Sequence, residues 1–168
     1  MKSTNQKISL ENTNVSLYIK REDLLHPYVS GNKFRKLKYN LVQAKSENKK
    51  TLLTFGGAFS NHILAVAAAG KEQGFKTIGI IRGEELKDKI AENPTLKKAQ
   101  DLGMVFDFVD REIFREKSSP KFIQQLAEKF EESGSNTMIK QIDANHISIS
   151  INSGVVELID NKLIVLAE

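Results

Sequence analysis

The stretch Thr51-Leu52-Leu53-Thr54-Phe55-Gly56-Gly57-Ala58-Phe59-Ser60-Asn61-His62 decides how the chain folds. Its first five residues read as a strand, and the two glycines turn the chain. A helix is then predicted from Ser60 to about Gln73, with Gly74 ending it in the left-handed conformation. Residues 77–81 form a second strand in this reading. Asn93-Pro94 is a cap followed by proline at the first helical position, and Gly103 closes that helix. Residues 104–109 are a third strand. Ser119-Pro120 opens another helix, which carries Phe122, Leu126, Ala127 and Phe130 and ends at Gly134. Strand and helix alternating at these lengths predict an α/β fold, an open parallel sheet with flanking helices.

On the N-terminal side, residues 15–19 alternate as a half-buried strand does. Residues 20–31 contain Pro27 and Gly31 and read as loop. From Lys33 onward, Phe34, Leu37, Leu41 and Ala44 follow helical spacing, with Asn32 as N-cap. On the C-terminal side, residues 146–151 alternate strictly. Asn152-Ser153-Gly154 and Asp160-Asn161 separate them from apolar runs at 155–159 and 163–166, a pattern of an antiparallel meander. Three regions follow: an N-terminal segment at 1–50, a three-layer α/β domain at 51–140 and a divergent tail at 141–168.

The chain has 168 residues, 40% hydrophobic and 27% charged, enough for one domain with a core. With no Cys, disulfides, Cys-ligated zinc, iron–sulfur clusters and thiol nucleophiles are excluded. His26 and His146 have no partner at metal-ligand spacing, so no metal site is expected. The longest apolar run, residues 63–69, is too short to cross a bilayer, and the polar N-terminus lacks a secretory signal. A cytoplasmic location without membrane contact fits these features. Residues 1–50 hold 11 Lys/Arg against 4 Asp/Glu, while the net charge of the whole chain is only +4. The positive field is local. It suits a local anionic partner better than a nucleic acid, unless it is a solvated basic helix face.

Two sites could carry chemistry. The first is Ser30-Gly31-Asn32-Lys33-Phe34-Arg35-Lys36-Leu37-Lys38. A helix start disfavours cations by roughly a few tenths of a kcal/mol each, yet Lys33, Arg35, Lys36 and Lys38 fall in the first two turns. Either an anion is held there or these are surface cations on an amphipathic helix. The same field lowers the pKa of Lys33, and attack on an aldehyde requires a neutral lysine. The second site is the Gly56-Gly57 turn. Its backbone N–H groups, with Ser60 and Asn61 side chains, would accept a phosphate or a carboxylate; the alternative is a capped turn with Ser60 as N-cap. It lacks the glycine spacing of a dinucleotide site and the terminus of a nucleotide P-loop. His62 is either structural or a neutral imidazole at the helix start. Glu22-Asp23 and Glu84-Glu85 read as loop solvation.

Lys20-Arg21-Glu22-Asp23, the Ser30 to Leu37 stretch with Tyr39, and Thr54 to His62 together resemble the 1-aminocyclopropane-1-carboxylate deaminase/D-cysteine desulfhydrase family. These are pyridoxal-phosphate enzymes of the tryptophan-synthase-β-like fold. The match runs from about residue 15 to about residue 130, including Asn93-Pro94 and Gly103. The resemblance implies that the parallel sheet is the smaller domain of that fold. It implies that Lys33 is the catalytic lysine that binds pyridoxal 5'-phosphate covalently. Lys36 matches a cation near the cofactor phosphate, and Asn61 the asparagine beside the ring hydroxyl. Ser60, Asn61 and His62 match the turn that receives the substrate carboxylate. Deaminases typically show Ser-Asn-Gln there, so Ser-Asn-His leans toward the desulfhydrases.

The implied reaction is β-elimination on a small amino acid, releasing pyruvate and ammonia, with Lys33 as base. Family members are about twice this length. The chain therefore resembles a truncated N-terminal half, without the glycine-rich phosphate loop, the substrate tyrosines and the acidic group at the pyridine nitrogen. Gly134-Ser135-Asn136-Thr137 is similar to a family segment just before that half, and nothing matches beyond Lys140. Activity then needs a second wall from elsewhere. The alternatives are a catalytically inactive α/β remnant and a phosphate-binding module using the Gly56-Gly57 turn. An apolar inter-domain face would also allow a homo-oligomer.

Overall fold

The computed structural model describes residues 2–9, 16–132, 139–142, 154–159 and 162–167. The predicted helix end at Gly134, the Gly134–Thr137 similarity, His146 and the alternating run at 146–151 lie outside them.

β1 (Asn5–Ile8) pairs antiparallel with β2 (Leu17–Lys20), Asn5 opposite Lys20 and Ile8 opposite Leu17. The expected half-buried strand at 15–19 is corrected here. Leu17, Tyr18 and Ile19 are all exposed, because a two-stranded ribbon has no second layer to bury against. α1 (Gly31–Ser46) begins two residues earlier than expected, with Ser30 and not Asn32 at the N-cap position. Gly31 has φ +56°, a left-handed entry that glycine takes without strain. Leu37 and Ala44 of α1 are buried, and Phe34 and Leu41 pack against the same core.

β3 (Thr51–Gly57), β4 (Lys76–Arg82), β5 (Met104–Val109) and β6 (Ile139–Ile142) form one parallel sheet in the order β5-β4-β3-β6. Phe55 aligns with Ile80, Ile78 with Val105 and Thr51 with Ile139. β6 was not signalled by its four residues, and it carries the sheet past position 140. Alternation along the strands sends side chains to opposite faces. Leu52 and Ile81 pack with α1, with α2 (Asn61–Gln73) and with α3 (Pro94–Asp101). Leu53, Phe55, Ile78 and Ile80 pack with Leu126 of α4 (Pro120–Glu132) on the other face. Helices on both faces of a parallel sheet make the predicted three-layer α/β arrangement.

The local punctuation behaves as read. Ser60 caps α2, and Gly74 follows it at φ +76°. Asn93 Oδ1 accepts from the N–H groups of Thr95 and Leu96, both at 3.0 Å, with Pro94 next to it. Gly103 has φ +95°. Among the described residues three 3₁₀ segments, Glu22–Leu24, Glu84–Glu92 and Ile113–Ser118, join the strands and helices. In the tail, β7 (Gly154–Ile159) pairs antiparallel with β8 (Lys162–Ala167), Val155 opposite Leu166.

Candidate active site

Strands β4 and β5 lie on one side of β3, and β6 lies on the other. The chain leaves β3 through α2 on one face and reaches β6 through α4 on the other. The carboxyl end of β3 is therefore a topological switch point, where open α/β sheets form a crevice. Gly56 and Gly57 end β3 at that point. A Cβ on Gly56 would stand 2.5 Å from Ile63 Cγ1 and 2.8 Å from Ile63 Cδ1, so glycine is what lets α2 start this close to the strand. The Ser60 N–H donates to the Gly57 carbonyl at 3.0 Å, and the Ser60 Oγ accepts from the His62 N–H at 3.2 Å.

Beside this turn is a cleft of about 370 Å³. Asn61 and Leu64 of α2 line one side; Ser30, Gly31, Asn32 and Lys33 from the start of α1 line the other, with Asp23 and Tyr28 from the preceding loop. Lys33 and Asn61, from the two separate motifs, thus share one cavity. Lys33 is half-buried, and its ammonium is held below the ordinary lysine range. Loss of water comes first among the causes, and the positive charge of Lys36 second. Sequence reasoning expected a lowered value from the helix pole; burial by the fold is the larger cause.

The four cations in the first two turns of α1 do not act together. Arg35 makes a two-pronged ion pair with Glu22, Nη2 to Oε1 at 2.6 Å and Nε to Oε2 at 2.9 Å. The Lys38 ammonium lies 5.3 Å from the centre of the Tyr39 ring. Lys36 stands one turn after Lys33 and is half-buried. Glu22 and Asp23 are corrected from loop solvation to structural ion pairs, since Arg21 grips Asp23 at 2.7–3.1 Å. Glu22 also accepts from Ser3 Oγ at 2.7 Å.

Lys36, Ser60 and His62 are not among the described residues lining the cleft. Ser60 serves as N-cap, and His62, 2% exposed, is buried behind the turn. Asp23, Tyr28, Ser30 and Asn32 line the cleft without having been singled out as site residues; the Ser30-Gly31-Asn32 run directly before Lys33 was the available signal. Among the described residues no group of three or more His, Asp and Glu side chains gathers as a metal site would. No described helix is long and apolar enough to cross a membrane.

The architecture is an open parallel α/β sheet with a cleft beside the turn after β3, lined by Lys33 and Asn61. A solved structure described as an ACC deaminase homologue superimposes with a TM-score of 0.65 at 27% identity, covering 86% of this chain and 42% of that one. A putative 1-aminocyclopropane-1-carboxylate deaminase of Pyrococcus abyssi is 42% identical over 72 residues, 43% of this chain and 22% of that protein. A mitochondrial bifunctional D-cysteine desulfhydrase/1-aminocyclopropane-1-carboxylate deaminase of Arabidopsis thaliana is 30% identical over 122 residues, 70% of this chain and 30% of that protein. No protein-family model matches the chain. The chain is a homologue of the 1-aminocyclopropane-1-carboxylate deaminase/D-cysteine desulfhydrase proteins, and it spans less than half the length of these relatives.

Proposed function

We propose that the chain carries the lysine-bearing part of a pyridoxal-phosphate site for β-elimination on a small amino acid with release of ammonia, in the manner of a D-cysteine desulfhydrase. The observation that carries the reading is the shared cleft of Lys33 and Asn61, with the Lys33 ammonium disfavoured there. An aldehyde cofactor needs an amine that loses its proton easily, a polar group for the ring hydroxyl and positive charge for a phosphate. Lys33, Asn61 and Lys36 fit those needs.

When bound, pyridoxal phosphate supplies an electron sink for the substrate α-carbon. The residues do the rest. Lys33 Nζ would hold the cofactor and, as a free amine, would take the α-proton of the substrate. The Asn61 amide would hold the ring hydroxyl, and Lys36 would add positive charge for the phosphate. The Ser60 hydroxyl accepts from the His62 N–H and still has its own hydrogen to donate to a substrate carboxylate. From D-cysteine and one water the products would be hydrogen sulfide, pyruvate and ammonia, with sulfide leaving the β-carbon and water releasing the ammonia. Full turnover in this reading needs a second wall that excludes water from the cleft. A cytoplasmic location fits, as does a homo-oligomer covering the exposed Leu17, Tyr18 and Ile19.

Borohydride reduction after saturation with pyridoxal phosphate, followed by peptide mapping, tests the reading. A pyridoxyl label on Lys33, absent from a folded Lys33→Ala variant, is expected. Unlabelled wild-type protein overturns it. One observation favours a second reading: Ser60 already works as an N-cap and His62 is buried, so the turn has a structural duty without any ligand. A chain labelled at Lys33 that releases no pyruvate from D-cysteine would be a catalytically silent α/β module.

A further inference from the structure

His26 lies outside both motifs, yet it bonds both its own loop and a distant helix. Its Nδ1 accepts from the backbone N–H groups of Tyr28 at 3.0 Å and Val29 at 2.8 Å. A ring nitrogen that accepts hydrogen bonds carries no proton, so the ring proton is on Nε2. Nε2 stands 2.6 Å from Glu72 Oε1 and donates to it.

Those bonds join the two elements that line the Lys33 cleft, from a separate groove that His26 and Glu72 line near the far end of α2. On one side the loop after His26 supplies Tyr28, Ser30 and Gly31 to the lining. Val29 is 7% exposed and anchors that loop in the core. The next carbonyl, that of Ser30, accepts the Lys33 N–H at 3.1 Å. On the other side, Glu72 belongs to α2, the helix whose first turn supplies Asn61 and Leu64. The charged groups lining that groove with His26 are Glu72 of α2 and Lys38 and Lys45 of α1, and Lys98 of α3 lies over the neighbouring Tyr28 ring.

We infer that His26 is a positioning residue for this cleft: as the Nε2–H tautomer it ties the loop leading into Lys33 to the helix that carries Asn61. The inference rests on the proposed function for what the cleft binds, while the tie itself is independent of it. A purely local role is the competing account, in which His26 only closes its own turn. Asparagine separates the two. Its Oδ1 can accept from the same two amides, as in an Asx turn, but its side chain is too short for Glu72. Glu72→Ala removes only the far acceptor, from a side chain that is 54% exposed.

The test uses the full chain without cofactor. Hydrogen exchange is followed at the Tyr28 and Val29 amides, and acetylation of Lys33 by acetic anhydride is measured relative to exposed Lys97. His26→Ala should speed exchange at both amides by about fivefold or more. His26→Asn and Glu72→Ala should each change the Lys33-to-Lys97 ratio by about threefold, and their double variant no further, because both cut one tie. Glu72→Gln, which keeps an acceptor, should restore the wild-type ratio. A wild-type ratio in both His26→Asn and Glu72→Ala overturns the inference, as does unchanged exchange in a folded His26→Ala. Should His26→Ala not fold, the other two variants decide. Wild-type protein that takes no pyridoxyl label sinks the functional reading alone, since these readouts need no cofactor.

Discussion

Glu22 and Arg35 meet through two hydrogen bonds across 13 residues, and this pair fastens the 3₁₀ turn before the cleft to the second turn of α1. The guanidinium lowers the Glu22 carboxyl from 4.5 to about 2. A carboxyl lowered in the folded state contributes stability in full above pH 4.5 and loses it as pH falls toward 2. Glu22→Gln should cost about 1 kcal/mol or less at pH 7, because Arg35 is half exposed. It should also flatten the acid limb of the stability curve. Urea unfolding at pH 7 and pH 3 checks this: the wild type loses more on acidification than the variant, and equal losses would refute the assignment.

The two glycines after β3 should not be equivalent. Alanine at Gly56 would strike Ile63, which is fully buried, whereas the nearest atom to a Cβ on Gly57 is Arg82 Nη2 at 4.0 Å. Gly56→Ala should destabilise by about 1–3 kcal/mol, as overpacking does, and Gly57→Ala by clearly less. Thermal unfolding of the two variants measures the difference. Equal midpoints would mean that α2 is not held against the strand as described.

Lys36 depresses Lys33 through like charge, second to burial. Lys36→Gln should therefore move the pH midpoint for acetylation of Lys33 upward, while leaving it below that of an exposed lysine. A midpoint unchanged from wild type would show that burial alone acts. A downward shift would contradict the sign of the interaction.

Ser60 is assigned two duties that one substitution can separate. Loss of the cap in Ser60→Ala should cost about 0.5–2 kcal/mol of stability. If Ser60 also donates to a substrate carboxylate, KM for the amino acid should rise in the same variant. Ser60→Asn, which keeps the cap, separates the effects: stability returns while KM stays raised. A KM that returns with stability would leave only the structural duty.

Much of this architecture is written locally. The Asn93-Pro94 cap, Ser60 with Gly74 at the ends of α2, and the apolar runs of β3 and β4 act on neighbours a few residues away, so their meaning survives outside any fold. β6 is different. Four residues carry little signal of their own, and their strand state comes from pairing with Thr51–Thr54 of β3. The exposed faces of β2 were likewise unreadable, because alternation reports which residues could be buried and not whether a layer exists to bury them.

The amino-acid order alone determined the alternation of strands and helices, and marked Lys33 and the Gly56–His62 turn as the chemical positions. Each signal there is a residue type at a short spacing. Folding decided that Lys33 meets Asn61, that Arg35 is taken by Glu22 and that His26 joins Glu72 46 residues away. It also decided that Lys33 loses water and His62 is enclosed. Desolvation and long-range hydrogen bonds depend on which surfaces come together, and no spacing along the chain encodes them.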